Sequence, residues 1–157
     1  MKDNFIKLEE ILQDRPTTIS VAESCTGGNL SALLTSKSGS SNFFNSGYIT
    51  YSNEAKITML GVNSTTIKNY GAVSEQTAKE MVSGVIANSA SDIGVAITGI
   101  AGPTGGSKSK PVGMVCFGFC IFKDCFSATE YFKGDRENII ESSINFVIDR
   151  LIYELSK

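Results

Sequence analysis

The first candidate for chemistry is a hydroxyl-rich turn that follows a short β-branched segment. Ala22–Gly28 reads A-E-S-C-T-G-G, and Thr17–Ala22 before it is typical of a buried strand. In α/β sheets ligands bind at the carboxyl ends of strands, where the free N–H groups of helix N-termini favour an anion or a developing oxyanion. The turn is thus either a display of the Ser24 hydroxyl for nucleophilic attack or a capped helix start with a tight glycine turn.

Lys56 is the candidate base for such a serine. The chain contains no histidine, which excludes Ser-His-Asp and Cys-His pairs as well as histidine-ligated zinc. A lysine kept neutral by burial or by a nearby cation can accept the serine proton instead. Lys56 lies about one helical turn after Ser52, so it can point back toward its helix start, with Tyr51 able to relay or position the proton. From spacing alone, a solvated surface lysine is the alternative.

A third segment, Thr98–Gly106 (T-G-I-A-G-P-T-G-G), is a glycine-rich loop directly after an apolar run. Its glycines let the backbone approach a ligand closely, and a plain flexible loop is the alternative. The loop lacks the Gly-Lys-Ser/Thr ending of a Walker A loop and the G-x-G-x-x-G spacing of dinucleotide-binding proteins. The sequence therefore lacks the motifs that usually indicate ATP hydrolysis or nicotinamide-dependent hydride transfer.

Arg136 is a further candidate, which can either bind a phosphate or pair with Asp135 or Glu137.

Hydrophobic periodicity predicts the elements that must position these segments. It predicts five helices: one ending before Pro16, one from about Thr26, Asn53–Leu60 capped by Ser52 or Asn53, one from Ser74 onward, and about Arg136–Leu155. It predicts five strands: Thr17–Ala22, Tyr48–Tyr51, Ile93–Thr98, and an antiparallel hairpin of about Val112–Phe122 and Phe126–Phe132 that turns at Lys123-Asp124. Strands that alternate with helices before a hairpin and a closing helix predict one α/β domain over residues 1–157, with three layers and a mixed sheet.

Composition narrows the functional class. The 157 residues include 14 basic and 16 acidic side chains, a net charge of −2, which argues against a protein that mainly holds nucleic acid. The apolar runs fall short of the ~20 residues of a membrane span, and the N-terminus has no signal-peptide core, so we expect a cytoplasmic protein. The four cysteines form no C-x-x-C pair, and we expect them to be reduced: Cys25, Cys116, Cys120 and Cys125.

Six short segments, in order and over nearly the whole chain, resemble the CinA C-terminal domain family, whose stand-alone members include nicotinamide-nucleotide amidases. The segments are A-E-S-C-T-G-G (22–28), T-Y-S-N-E-A-K (50–56), G-A-V-S-E (71–75), I-T-G-I-A-G-P-T-G-G (97–106), K-P-V-G (110–113) and G-D-R (134–136). The resemblance implies a three-layer α/β/α sandwich with a mixed β-sheet and a homo-oligomer, and no metal or organic cofactor is expected. Longer members carry a further N-terminal domain, whose activities we do not expect here.

The resemblance further implies hydrolysis of the carboxamide of nicotinamide mononucleotide to nicotinate mononucleotide and ammonia. It maps the family's serine nucleophile onto Ser24, its lysine onto Lys56 and its tyrosine onto Tyr51. The expected partner is a small-molecule nucleotide rather than nucleic acid or a membrane. Two other interpretations stay open: a non-catalytic nucleotide-binding module linked to competence and DNA damage, and an amidase for a related nucleotide amide. The expected substrate-binding residues are Thr26, Gly27, Gly28, Thr98, Gly99, Ile100, Ala101, Gly102 and Arg136, with Lys110 as a second candidate for the phosphate.

Overall fold

A computed structural model describes residues 2–157, which form six α-helices and five β-strands. The helices are α1 (Lys2–Asp14), α2 (Asn29–Leu34), α3 (Asn53–Leu60), α4 (Ser64–Tyr70), α5 (Glu75–Ser89) and α6 (Arg136–Leu155). The strands are β1 (Ile19–Glu23), β2 (Phe44–Ile49), β3 (Ile93–Gly99), β4 (Met114–Ile121) and β5 (Asp124–Tyr131).

The strands form one mixed sheet in the order β2-β1-β3-β4-β5. β1 is parallel to both β2 and β3, whereas β4 is antiparallel to β3 and to β5. The three parallel strands therefore end at the same edge, where Glu23 lies opposite Ile49 on one side and Ile97 on the other. The segments that follow β1, β2 and β3 meet at this edge, as ligand-binding segments do in α/β proteins.

Helices cover both faces of the sheet and give the predicted three layers. On one face, α1, α2 and α6 pack around a core that includes Leu8, Phe117 and Val147. On the other face, α3, α4 and α5 cover a smaller core that includes Leu60 and Met81. The mixed α/β sandwich is confirmed, because amphipathic helices on each side of the sheet bury its two apolar surfaces.

Several predicted boundaries differ from the structure, among them the starts of β1 (Ile19 rather than Thr17) and β5 (Asp124 rather than Phe126). α2 begins at Asn29 rather than near Thr26, because Gly27 and Gly28 take positive φ angles of 56° and 101° and extend the turn. β2 ends at Ile49, so the predicted strand at Tyr48–Tyr51 lies too late in the chain. The hairpin turns at 122–123, one residue earlier than predicted, since Ile121 pairs with Asp124.

The expectation that all four cysteines are reduced is wrong for two of them. Cys120 and Cys125 form a disulfide, while Cys25 and Cys116 are free and buried. The two bonded residues lie directly opposite each other on β4 and β5, and only this strand register shows that they are neighbours.

Within residues 2–157, no helix combines the length and the apolar character that crossing a membrane would require.

Candidate active site

Ser24 and Lys56 meet at the edge where the parallel strands end. The Lys56 Nζ lies 2.9 Å from the Ser24 Oγ, although the two residues are 32 positions apart. Both side chains are buried, with Ser24 8% and Lys56 1% exposed. The surface-lysine alternative for Lys56 is therefore wrong, and the two groups that would act as nucleophile and base are in hydrogen-bond contact.

Local backbone structure brings Lys56 to this position. The Thr50 N–H donates to the Glu23 carbonyl at 2.9 Å, which holds the segment after β2 against the end of β1. The Ser52 Oγ then accepts from the Ala55 N–H at 3.0 Å and caps α3. Because α3 begins directly after this contact, the Lys56 side chain folds back over the first turn of its own helix and reaches Ser24.

Burial makes the neutral amine of Lys56 more accessible than that of an exposed lysine. Burial lowers its pKa to about 8. Its Nζ donates to the carbonyls of Thr50 at 2.8 Å and Tyr51 at 3.3 Å, and no ion pair in the described part of the chain includes it. A neutral amine can keep both carbonyl contacts with its two N–H groups and still offer a lone pair to the Ser24 proton. The site therefore contains a base matched to neutral pH.

A cavity of about 300 Å³ opens above this pair. Its lining contains no acidic residue, and Arg136 supplies a permanent positive charge, which favours an anionic ligand. Cys25 also lines it, but burial raises the pKa of this thiol to about 12, so it is not a competing thiolate. The lining residues are Ser24, Cys25, Tyr51, Asn53, Lys56, Ala72, Val73, Thr98, Gly99, Ile100, Ala101, Gly102, Thr104, Gly105 and Arg136.

Arg136 and Tyr51 lie at the mouth of the cavity. The Arg136 guanidinium donates to the Gly102 carbonyl at 2.8 Å and to the Tyr51 hydroxyl at 3.1 Å. It forms an ion pair with neither Asp135 nor Glu137 within residues 2–157, and the Asp135 carboxylate instead caps α6. Both observed partners of Arg136 are neutral, so its positive charge remains available to a ligand. Tyr51 contacts Lys56 through its carbonyl, and a proton relay through its hydroxyl stays a prediction.

The structure brings only some of the expected substrate-binding residues to the cavity. The loop from Thr98 to Gly102 lines it, and the Thr98 hydroxyl donates to the Ala72 carbonyl of the opposite wall at 2.8 Å. Thr26, Gly27 and Gly28 are absent from the lining, and the Thr26 hydroxyl is buried against Glu23. Lys110 lines a neighbouring hollow and donates to the Tyr70 carbonyl. Substrate contacts by these four residues stay predictions.

Sequence reasoning missed Glu23, whose carboxylate is fully buried beside Ser24. Four groups donate to it at 2.7–2.9 Å: the Thr26 hydroxyl, the Leu30 N–H, the Ser31 N–H and the Ser31 hydroxyl. The available signal was a glutamate at the end of an otherwise apolar strand, because a buried carboxylate requires several donors.

The chain is similar in sequence to proteins of one family. The CinA C-terminal domain family model matches residues 5–155. A CinA-like protein of Endomicrobium trichonymphae is 47% identical over 141 residues, covering 90% of this chain and 33% of that protein. A putative competence-damage inducible protein of Clostridium novyi is 45% identical over 157 residues, covering 98% of this chain and 38% of that protein. The chain thus spans about a third of the length of these curated relatives.

Solved structures agree with the sequence relatives. A competence-damaged protein (CinA) superfamily protein from Klebsiella pneumoniae superposes with a TM-score of 0.94 at 33% identity, covering 98% of this chain and 96% of that chain. A competence/damage inducible protein from Agrobacterium tumefaciens has a TM-score of 0.91 at 37% identity, covering 99% and 96%. The fold and the sequence therefore place this chain among the same proteins.

Proposed function

The chain belongs to the CinA C-terminal domain family, and from this premise we propose that it is an amidase that converts nicotinamide mononucleotide to nicotinate mononucleotide and ammonia. The observation that carries the proposal is the 2.9 Å contact between the Lys56 amine and the Ser24 hydroxyl. A buried lysine with a pKa of about 8 has a neutral fraction near neutral pH, and this fraction can accept the serine proton without a histidine.

In the proposed first step, the Ser24 Oγ attacks the carboxamide carbon while Lys56 accepts the hydroxyl proton. The ammonium that forms keeps its contacts with the Thr50 and Tyr51 carbonyls, which stabilise the new charge. The carbonyl oxygen of the substrate becomes an oxyanion and requires hydrogen-bond donors. Each well-placed donor in such a site contributes roughly 3 kcal/mol to transition-state stabilisation.

The turn after Ser24 contains candidate donors for this oxyanion. Within residues 2–157, the backbone N–H groups of Cys25 and Thr26 donate to no protein acceptor, whereas the Gly27 N–H donates to the Ser24 carbonyl.

Collapse of the tetrahedral intermediate then breaks the C–N bond, and Lys56 returns its proton to the departing ammonia. Water attacks the acyl-enzyme and transfers a proton to Lys56, which gives it back to Ser24.

The charge of the cavity supports an anionic substrate. We assign the 5′-phosphate to Arg136, because this residue lines the cavity and, within residues 2–157, has only the Gly102 carbonyl and the Tyr51 hydroxyl as partners. A volume of about 300 Å³ is at the lower end of small-molecule sites. A compact mononucleotide is therefore a better candidate than a dinucleotide.

The test is release of ammonia and nicotinate mononucleotide from nicotinamide mononucleotide by the purified protein. We expect Ser24→Ala to lower kcat by about 10⁴-fold, since it removes the nucleophile. Ser36→Ala, at an exposed serine remote from the cavity, is the matched control. Full activity of Ser24→Ala would exclude Ser24 as the nucleophile.

A panel of related amides tests the two remaining interpretations. Turnover of another nucleotide amide, but not of nicotinamide mononucleotide, would keep the amidase chemistry and change the substrate. Calorimetric binding of nicotinamide mononucleotide without any turnover would favour a non-catalytic module instead.

A further inference from the structure

The buried Glu23 carboxylate connects the turn of the nucleophile to the first turn of α2. One carboxylate oxygen accepts from the Thr26 hydroxyl at 2.7 Å and from the Leu30 N–H at 2.9 Å. The other accepts from the N–H and the hydroxyl of Ser31, at 2.9 Å and 2.7 Å. A carboxylate suits this position because it is a pure acceptor with room for four donors.

This carboxylate adds a side-chain anchor to a turn that is otherwise held by backbone contacts, in which the Ser24 N–H donates to the Ile97 carbonyl at 3.0 Å and the Gly27 N–H to the Ser24 carbonyl at 3.1 Å. The N-cap residue of α2 is Gly28, which has no side chain to cap the helix. A Cβ at Gly27 would meet nothing within 4 Å, so this part of the turn has no packing contact on that side. The hydrogen bond between Glu23 and Thr26 spans the two intervening residues, Ser24 and Cys25, and closes the turn around the nucleophile.

The backbone of Glu23 also reaches the base. Its carbonyl accepts from the Thr50 N–H at 2.9 Å, and the Thr50 carbonyl accepts from the Lys56 Nζ at 2.8 Å. One residue therefore holds the turn of Ser24 through its side chain and the contact segment of Lys56 through its main chain.

We propose that Glu23 and Thr26 are positioning residues, whose hydrogen bond holds the Ser24 hydroxyl and the following N–H groups in the geometry of nucleophilic attack. This inference rests on the proposed serine–lysine function. It assigns to Thr26 a role in orienting Ser24 rather than in contacting substrate, because the Thr26 hydroxyl is buried on Glu23 and away from the cavity lining.

A matched pair of variants separates positioning from stability. Thr26→Val and Ser31→Ala each remove one hydroxyl that donates to the Glu23 carboxylate at 2.7 Å, one on each of its oxygens. We expect both to lower the Tm by similar amounts, since each leaves the same buried carboxylate with one donor fewer. Thr26, unlike Ser31, belongs to the turn that contains the nucleophile. We therefore expect only Thr26→Val to lower kcat, by about 10- to 100-fold, and we expect KM to be unchanged.

Two further variants complete the series. Thr26→Ser keeps the hydroxyl donor and should retain most of the wild-type kcat. Thr26→Ala removes the donor without placing a methyl group against the carboxylate, so it replaces Thr26→Val if that variant does not fold. The kinetic readout is ammonia release, and the second readout is the rate at which a fluorophosphonate labels Ser24, followed by intact mass.

The labelling rate separates failure of this inference from failure of the proposed function. Slower Ser24 labelling in Thr26→Val than in Ser31→Ala supports the positioning role even if the wild type releases no ammonia from nicotinamide mononucleotide. Equal loss of kcat and equal labelling in the two variants would overturn the inference, because stability alone would then explain both. A raised KM with unchanged kcat in Thr26→Val would also overturn it, since Thr26 would then contact substrate. Wild-type protein whose Ser24 is not labelled would overturn it as well.

Discussion

The floor and the mouth of the cavity are built in opposite ways. The floor is the buried pair of Ser24 and Lys56, which are held by neighbouring backbone groups. The mouth is the pair of Tyr51 and Arg136, with Tyr51 61% exposed and Arg136 bonded only to neutral oxygen atoms. Burial at the floor changes the basicity of an amine, while exposure at the mouth leaves a charge free for a ligand.

This difference predicts that the floor acts in catalysis and the mouth in substrate binding. Desolvation lowers the pKa of Lys56 because the charged amine loses water that the protein does not fully replace. The guanidinium of Arg136 keeps its charge at any physiological pH and can exchange a neutral partner for a phosphate. Substitutions at the floor should therefore change kcat, and substitutions at the mouth should change KM.

After Ser24→Ala, the largest effect is expected for Lys56→Met, which keeps a long side chain but removes the base. We expect kcat to fall by about 10²- to 10⁴-fold, the usual contribution of a positioned general base. Steady-state ammonia release measures the effect, with Lys68→Met at an exposed lysine of α4 as the control. Unchanged kcat would mean that the floor does not supply the base.

Arg136→Met should produce the strongest effect at the mouth. Loss of a charged hydrogen-bond donor to phosphate costs about 1.5–3 kcal/mol, so we expect KM to rise by roughly 10- to 100-fold with little change in kcat. Lys133→Met, at an exposed cation near the start of α6, should leave KM unchanged. The measurement is repeated with nicotinamide riboside, which lacks the phosphate and should show no dependence on Arg136.

The pH dependence of kcat/KM should report the amine at the floor. Only neutral Lys56 can accept the proton, and its pKa is about 8. Below this value kcat/KM should fall by about tenfold per pH unit, and above it the profile should level off. A flat profile between pH values of about 6 and 8 would contradict the assignment of Lys56 as the base.

The same pKa should appear in stability without any assay of activity. Burial lowers the pKa of Lys56 from 10.5 to about 8, so between these values the unfolded chain binds more protons than the folded one. The free energy of unfolding should therefore rise with pH across this window. Subtracting the curve of Lys56→Met from that of the wild type isolates the contribution of this one amine.

Tyr51→Phe should have the smallest effect, because it removes one exposed, neutral hydrogen bond to Arg136. We expect kcat/KM to change by about two- to tenfold. A loss of kcat by about 100-fold or more would show that the hydroxyl takes part in proton transfer. Tyr51 would then act in catalysis together with Ser24 and Lys56, and the mouth would not serve in binding alone.

Elements with a clear apolar stripe could be predicted from the sequence. The helix predicted from Ser74 onward is α5, which buries Ala78, Met81, Val82 and Val85, and α3 has its predicted bounds, Asn53–Leu60. α4 escaped prediction because none of its residues is buried, so it has no hydrophobic period. Periodicity detects only elements that bury one face.

Residue types and their local spacing already limit which chemistry this protein can perform. A chain without histidine that contains Ser24 in a glycine-bounded turn and Lys56 after a helix cap can form a serine–lysine pair. Residue types and spacing also predict the order of every α-helix and β-strand except α4, because helix caps and hydrophobic spacing are local properties.

Tertiary structure alone decided whether that chemistry is assembled. The 2.9 Å contact between Lys56 and Ser24, the burial that lowers the pKa of the lysine, and the donors around Glu23 all join residues from different elements. Distance, desolvation and hydrogen-bond satisfaction depend on which groups the fold places side by side. Residue types and their spacing along the chain do not contain that information.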